Sequence, residues 1–170
     1  KQNGVISMKA YLANGLFSMG DRLLNSLIAS EVRKEIQGID LYVPQENDEI
    51  NDKSLYADSV TIAKADMDRL RESEFLIAVI DGVEIDSGVA AEIGAFYMMN
   101  KPIFALFTDV RQEGRDNEKK IQALVRDGTE NQFVYRNLFV IGLIKESKGN
   151  IYSTVDQLID GIKEYLKGKN

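Results

Sequence analysis

The chain has 170 residues, 44% hydrophobic and 28% charged, with a net charge of −6, a balance that fits one globular domain with one core. Cysteine and histidine are both absent, which excludes disulfides, thiolate nucleophiles, Ser-His-Asp chemistry, imidazole acid–base catalysis and Cys or His metal ligands. The acidic balance argues against a nucleic-acid polymer as partner. No apolar run approaches the roughly 20 residues of a membrane span, so a cytoplasmic protein is expected.

Residues 1–7 precede Met8 and read either as an N-terminal remnant or as an extension of the first strand; residues 8–170 read as one domain. The first strand is expected over residues 5–13, followed by the turn Asn14-Gly15-Leu16-Phe17. A helix is predicted over 21–37, with Leu24, Leu27, Ile28, Val32 and Ile36 on one face, Asp21 as its cap and Gly38 at its stop. A short strand over 39–43 ends at Pro44, residues 45–53 read as polar loop, and a long helix follows over 55–73. Residues 75–80 are wholly apolar, the pattern of a central parallel strand covered on both faces.

An acidic, glycine-containing loop spans 81–88, a helix 89–99, a strand 102–107, a loop 108–117 and a helix 118–127. Residues 133–144 fit either helix or strand. The last helix carries Val155, Leu158, Ile159, Ile162, Tyr165 and Leu166 in one stripe behind a Ser153 or Thr154 cap. Strands alternating with helices predict a doubly wound α/β fold of the flavodoxin/Rossmann kind, a mainly parallel sheet with helices on both faces. Ligands then bind beyond the carboxyl ends of the strands.

Three acids stand out. Glu92 is the only charged residue between Gly88 and Met99. A lone carboxylate in an apolar helix is costly to bury without compensation. Near the helix start, the dipole favours it as an anion, the form a nucleophile requires. Spacing alone equally allows a glutamate on the exposed side. Asp86 precedes it in Asp-Ser-Gly, which reads as a helix cap or as an acceptor for a substrate hydroxyl. Asp66 lies one turn after Ile62 and one turn before Leu70. There it either has a raised pKa and delivers a proton, or pairs with Arg69 or Lys64. Tyr11 and Phe17 flank Gly15 and read as core or as stacking surfaces for a flat ligand. Asp81 and Glu84 add acid to the 81–88 loop, but no phosphate-binding loop accompanies them and no metal site is expected.

Three stretches together resemble the nucleoside 2-deoxyribosyltransferase family: residues 10–17, the run from Asp66 through the apolar strand, and Asp86-Ser87-Gly88-Val89-Ala90-Ala91-Glu92-Ile93-Gly94, similar to the family's D-S-G-x-x-x-E-x-G signature. The resemblance implies Glu92 as nucleophile, Asp66 as the acid beside the base, and Tyr11 as the group that orients the nucleophile. It implies Asp86 on the sugar 5′-hydroxyl, with Ser87, Gly88 and Gly15 lining the site, Phe17 against the base and Gln45 as a base contact. Asn137-Leu138-Phe139 resembles an Asn-Leu-Met element that reaches into a neighbouring subunit's site, which implies a homo-oligomer.

The implied reaction is a double displacement on 2′-deoxynucleosides with nucleobases as acceptors, needing no metal or organic cofactor. Rival readings are a hydrolase of deoxynucleosides or their 5′-monophosphates, and a non-catalytic nucleotide-binding module. The Asp86 carboxylate favours a neutral 5′-hydroxyl over a phosphate. Some family members end on a C-terminal tyrosine in the base pocket; this chain continues through a final helix to Asn170, which leaves its base preference open.

Overall fold

Periodic apolar residues become a sheet with two covered faces. The computed structural model describes residues 8–52, 54 and 56–169; the N-terminal remnant or strand extension proposed for residues 1–7 lies outside them. In chain order the elements are β1 (Met8–Ala13), α1 (Met19–Glu35), β2 (Ile39–Tyr42), α2 (Asp48–Asn51), α3 (Ser59–Glu72), β3 (Phe75–Val79), α4 (Ser87–Tyr97), β4 (Ile103–Leu106), α5 (Glu118–Arg126), α6 (Leu138–Glu146), β5 (Asn150–Tyr152) and α7 (Val155–Lys167). The five strands pair in parallel in the order β2-β1-β3-β4-β5. The order reverses between β1 and β3, and in such sheets the crevice beyond the strand ends at that point is where ligands sit.

Alternate residues of each strand feed opposite cores. Ala10, Leu12, Phe75, Ile77, Val79, Phe104 and Leu106 pack under α1 and α7. Tyr11, Ala13, Leu76, Ala78, Ile103 and Ala105 pack under α3, α4 and α6. The period-2 pattern of a strand buried on both sides therefore decides which residues can reach each face. Tyr11 is the one strand residue with a polar end among the largest fully buried side chains.

Several expectations shift in detail. Ser18, rather than Asp21, caps α1: its Oγ accepts from the Asp21 N–H at 3.0 Å and donates to Asp21 Oδ2 at 2.5 Å. That is a reciprocal capping pair with Asp21 at its third position. Gly38 has φ +75 at the turn into β2, as its place after the helix requires. The expected 45–53 loop instead contains a 3₁₀ turn, Pro44–Glu46, and α2. The long helix starts at Ser59 behind an Asp58 cap. Residues 108–117 include a 3₁₀ turn, Val110–Gly114. The ambiguous 133–144 stretch resolves into irregular chain and α6. The short strand β5 had no counterpart in the sequence reading. Among the described residues no helix is long and apolar enough to cross a membrane.

Candidate active site

Glu92 lies on the second turn of α4, which Asp86 caps. Asp86 Oδ1 accepts from the Gly88 and Val89 N–H groups at 2.8 and 3.1 Å, so the capping reading holds. The same carboxylate keeps Oδ2 for other use. A Cβ at Gly88 would stand 3.0 Å from Asp86 Oδ1, so a larger residue there would press on the cap. α4 presents Val89, Ile93 and Phe96 to the sheet. Glu92 stands beside that face, partly buried, pointing at β1.

Across the β1–β3 reversal, Tyr11 meets it. The Tyr11 hydroxyl donates to Glu92 Oε1 at 2.5 Å. That bond occupies one carboxylate oxygen and leaves Oε2 as the free one. Burial pushes the Glu92 carboxyl up to about 7. The Tyr11 hydrogen bond opposes that rise, while the charges of Asp66 and Asp86 add to it. Tyr11 itself is held far above the ordinary phenol range, by burial first and then by Glu92. It therefore stays a donor at any working pH.

Asp66 on α3 faces the same hydroxyl. Burial raises its carboxyl, and the nearby Tyr11 hydroxyl partly offsets this. The alternative ion pairs are not made: Arg69 pairs with Glu72, and no described cation lies against Asp66. Tyr42 at the end of β2 closes the cluster, its ring centroid 5.2 Å from that of Tyr11 and its hydroxyl accepting from Asn47 Nδ2 at 3.0 Å. Burial raises its pKa as well. Sequence reasoning missed Tyr42; its place one strand over from Tyr11, in register with it, was the available signal.

The other candidates occupy the surrounding loops. Phe17 is 80% exposed, so it is no core residue. It lines a cavity of about 300 Å³ with Leu16, Arg22, Gln45 and Asn51. Gly15 sits where a Cβ would come within 3.0 Å of Asp21 Oδ2. Gln45 is engaged at both ends of its amide: Oε1 accepts from Asn25 at 2.9 Å, and Nε2 donates to Ser26 Oγ and the Arg22 carbonyl. Ser87 is exposed on the first turn of α4. Asn137 caps α6 through the Phe139 and Val140 N–H groups. Beside it, Leu138 and Phe139 are 84% and 75% exposed.

Two anchors hold the loop that carries Asp86. Asp81 takes the Thr108 N–H on one oxygen and the Thr108 hydroxyl on the other. Arg136 donates to the Gly82 and Val83 carbonyls while its guanidinium lies 4.6 Å from the Phe107 ring centroid. Neither Thr108 nor Arg136 was singled out from sequence. A second cleft of about 510 Å³ runs along the outer edge of β2, but its cations Lys9, Arg33 and Arg69 are already paired with Glu72, Glu46 and Glu72.

This geometry holds a carboxylate against a phenol with a second carboxyl opposite. Comparison with known proteins gives the arrangement a family. The nucleoside 2-deoxyribosyltransferase family model matches residues 10–151. The chain belongs to that family. A conserved protein from Enterococcus faecalis V583 is 45% identical, with 93% of this chain and 98% of that one covered and a TM-score of 0.87. A 2-deoxyribosyltransferase from Bacillus psychrosaccharolyticus is 18% identical over 89% and 90% of the two chains, with a TM-score of 0.61. One from Leishmania mexicana is 14% identical over 94% and 97%, with a TM-score of 0.58. The latter two likenesses speak to the fold. No curated protein matches the sequence.

Proposed function

We propose that the chain transfers 2-deoxyribose between nucleobases, with Glu92 as the covalent nucleophile. The observation that carries this is the Tyr11–Glu92 hydrogen bond at 2.5 Å, made inside the cluster that also holds Asp66. Glu92 Oε2 attacks C1′ of a 2′-deoxynucleoside, and the glycosidic electron pair leaves with the base. Asp66, whose burial keeps its carboxyl protonated to higher pH than an exposed aspartate, gives that base its proton. A second base then attacks C1′ from the vacated side, returns its proton to Asp66 and frees Glu92, with net retention.

Tyr11 favours the ionised form of the attacking carboxylate and orients it. Asp86, with Oδ2 left free by its capping role, accepts from the sugar 5′-hydroxyl. Phe17 offers its exposed ring to the base. Membership of the family supports these assignments. The exposed Leu138 and Phe139 beside Asn137 support a homo-oligomer in which this element completes a neighbouring subunit's site.

The test is incubation with thymidine and adenine without phosphate or metal, followed by chromatography. Deoxyadenosine and thymine are expected. Thymine with free deoxyribose would recast the enzyme as a hydrolase with the same nucleophile. No turnover on purine or pyrimidine deoxynucleosides or their monophosphates would refute the proposal.

A further inference from the structure

Asn25 is an amide in the middle of α1 with 3% of its surface exposed, on the same face as the buried Ile28, Ala29 and Val32. A buried amide without partners is strongly unfavourable. Here each end is used. Asn25 Oδ1 accepts from Asn14 Nδ2 at 2.8 Å, and Nδ2 donates to the Gly15 carbonyl at 3.0 Å and to Gln45 Oε1 at 2.9 Å. Asn14 and Gly15 belong to the turn after β1; Gln45 belongs to the turn after β2. Gln45 then returns to α1 through the Arg22 carbonyl and Ser26 Oγ. One buried side chain thus ties two loops to a helix and to each other.

Those two loops supply Leu16, Phe17 and Gln45, and α2 supplies Asn51, to the cavity of about 300 Å³. We propose that Asn25 is the positioning residue of the wall that receives the base, and that Gln45 is its strut. This rests on the reading of Phe17 as the base platform. Gln45 spends its Nε2 hydrogens and one Oε1 lone pair within the protein, so its first role is to shape the wall. The Tyr11–Glu92 bond is made elsewhere, between β1 and α4. Loosening the wall therefore weakens base binding in ground state and transition state alike and leaves the chemical step in place, a signature in KM and not in kcat.

Two variants test this. Asn25→Leu keeps the side-chain shape and removes all three bonds. Gln45→Leu removes only the strut, at a partly exposed position where folding is not at stake. Kinetics of base exchange and thermal melts are measured for each and for the double variant. The expected result is a KM for the base raised about tenfold or more, with kcat within about threefold. The double variant should raise KM by less than the product of the two single effects, because the two side chains share the Asn25–Gln45 bond while Gln45 keeps its own bonds to Arg22 and Ser26. KM unchanged in both variants, or kcat falling at unchanged KM, overturns the proposal. If Asn25→Leu does not fold, Gln45→Leu decides alone. Failure of the underlying reading shows separately, as a wild-type chain that turns over no deoxynucleoside, and it takes this proposal with it.

Discussion

Replacing Tyr11 by Phe removes one hydroxyl and keeps the ring, which is fully buried and packed on Tyr42. The lost group is the donor that holds Glu92 Oε1 and pulls its pKa down from where burial would leave it. A hydrogen bond to a charged acceptor is worth about 1.5–3 kcal/mol, and about 1.4 kcal/mol is one pH unit. Glu92, at about 7 in the native protein, should therefore rise by about one to two units in Tyr11→Phe. At pH 7 the ionised fraction would fall from about a half to between about a tenth and a hundredth, a loss of about five- to fiftyfold in kcat/KM.

The assay is kcat/KM for deoxyribosyl transfer against pH in both proteins. The acid limb, near 7 in the wild type, should move alkaline in the variant, and activity should recover in part at high pH. The Asp66 carboxyl, which Tyr11 also lowers, should move in the same direction. An acid limb that stays in place or moves acid would refute the view that Tyr11 stabilises the ionised nucleophile.

Other substitutions test neighbouring links. Glu92→Gln should abolish turnover by several orders of magnitude and yet stabilise the fold. A carboxyl raised from 4.5 to about 7 binds its proton more tightly when folded, so ionising it costs up to about 3 kcal/mol above pH 7 and nothing below the ordinary value. The Tm gain should thus be several degrees at pH 8 and vanish near pH 4, as measured by calorimetry. Asp66→Asn should slow transfer by about a hundredfold or more for want of a proton donor, and the limb of the pH–rate profile that Asp66 sets should disappear. Asp86→Ser keeps a cap, so Tm should change little. Its KM for deoxynucleosides should rise, and relative activity on 5′-monophosphates should increase, because a carboxylate that repels phosphate is gone; a parallel loss on both substrates would count against Asp86 at the 5′ position.

Local patterns made some of this site legible. Glu92 stood out because a charged residue interrupts an otherwise apolar helix, and Asp86 because Asp-Ser-Gly reads as a helix start; both carry their signal within a few residues. Asp66 was visible as an acid beside an apolar stripe, although setting aside the ion pair with Arg69 needed the position of Glu72. The Tyr11–Glu92 bond spans 81 residues of chain, and no local period encodes such a pairing. Asn25 was overlooked although it sits at core spacing with Ile28, Ala29 and Val32. An amide there reads as a break in the stripe unless its partners, in two distant turns, are already known. The engagement of Gln45 was hidden for the same reason. The strand β5 has three residues, too few for alternation to show.

The loop between β3 and α4 is fastened from two directions, by Thr108 on Asp81 and by Arg136 on the Gly82 and Val83 carbonyls. Arg136 immediately precedes Asn137, the cap of α6. A force applied at that helix end, such as another copy pressing on Leu138 and Phe139, reaches the backbone ahead of Asp86 through a single side chain. The backbone that leads into Asp86 is thus coupled to the start of α6, a part of the chain about 50 residues away in sequence.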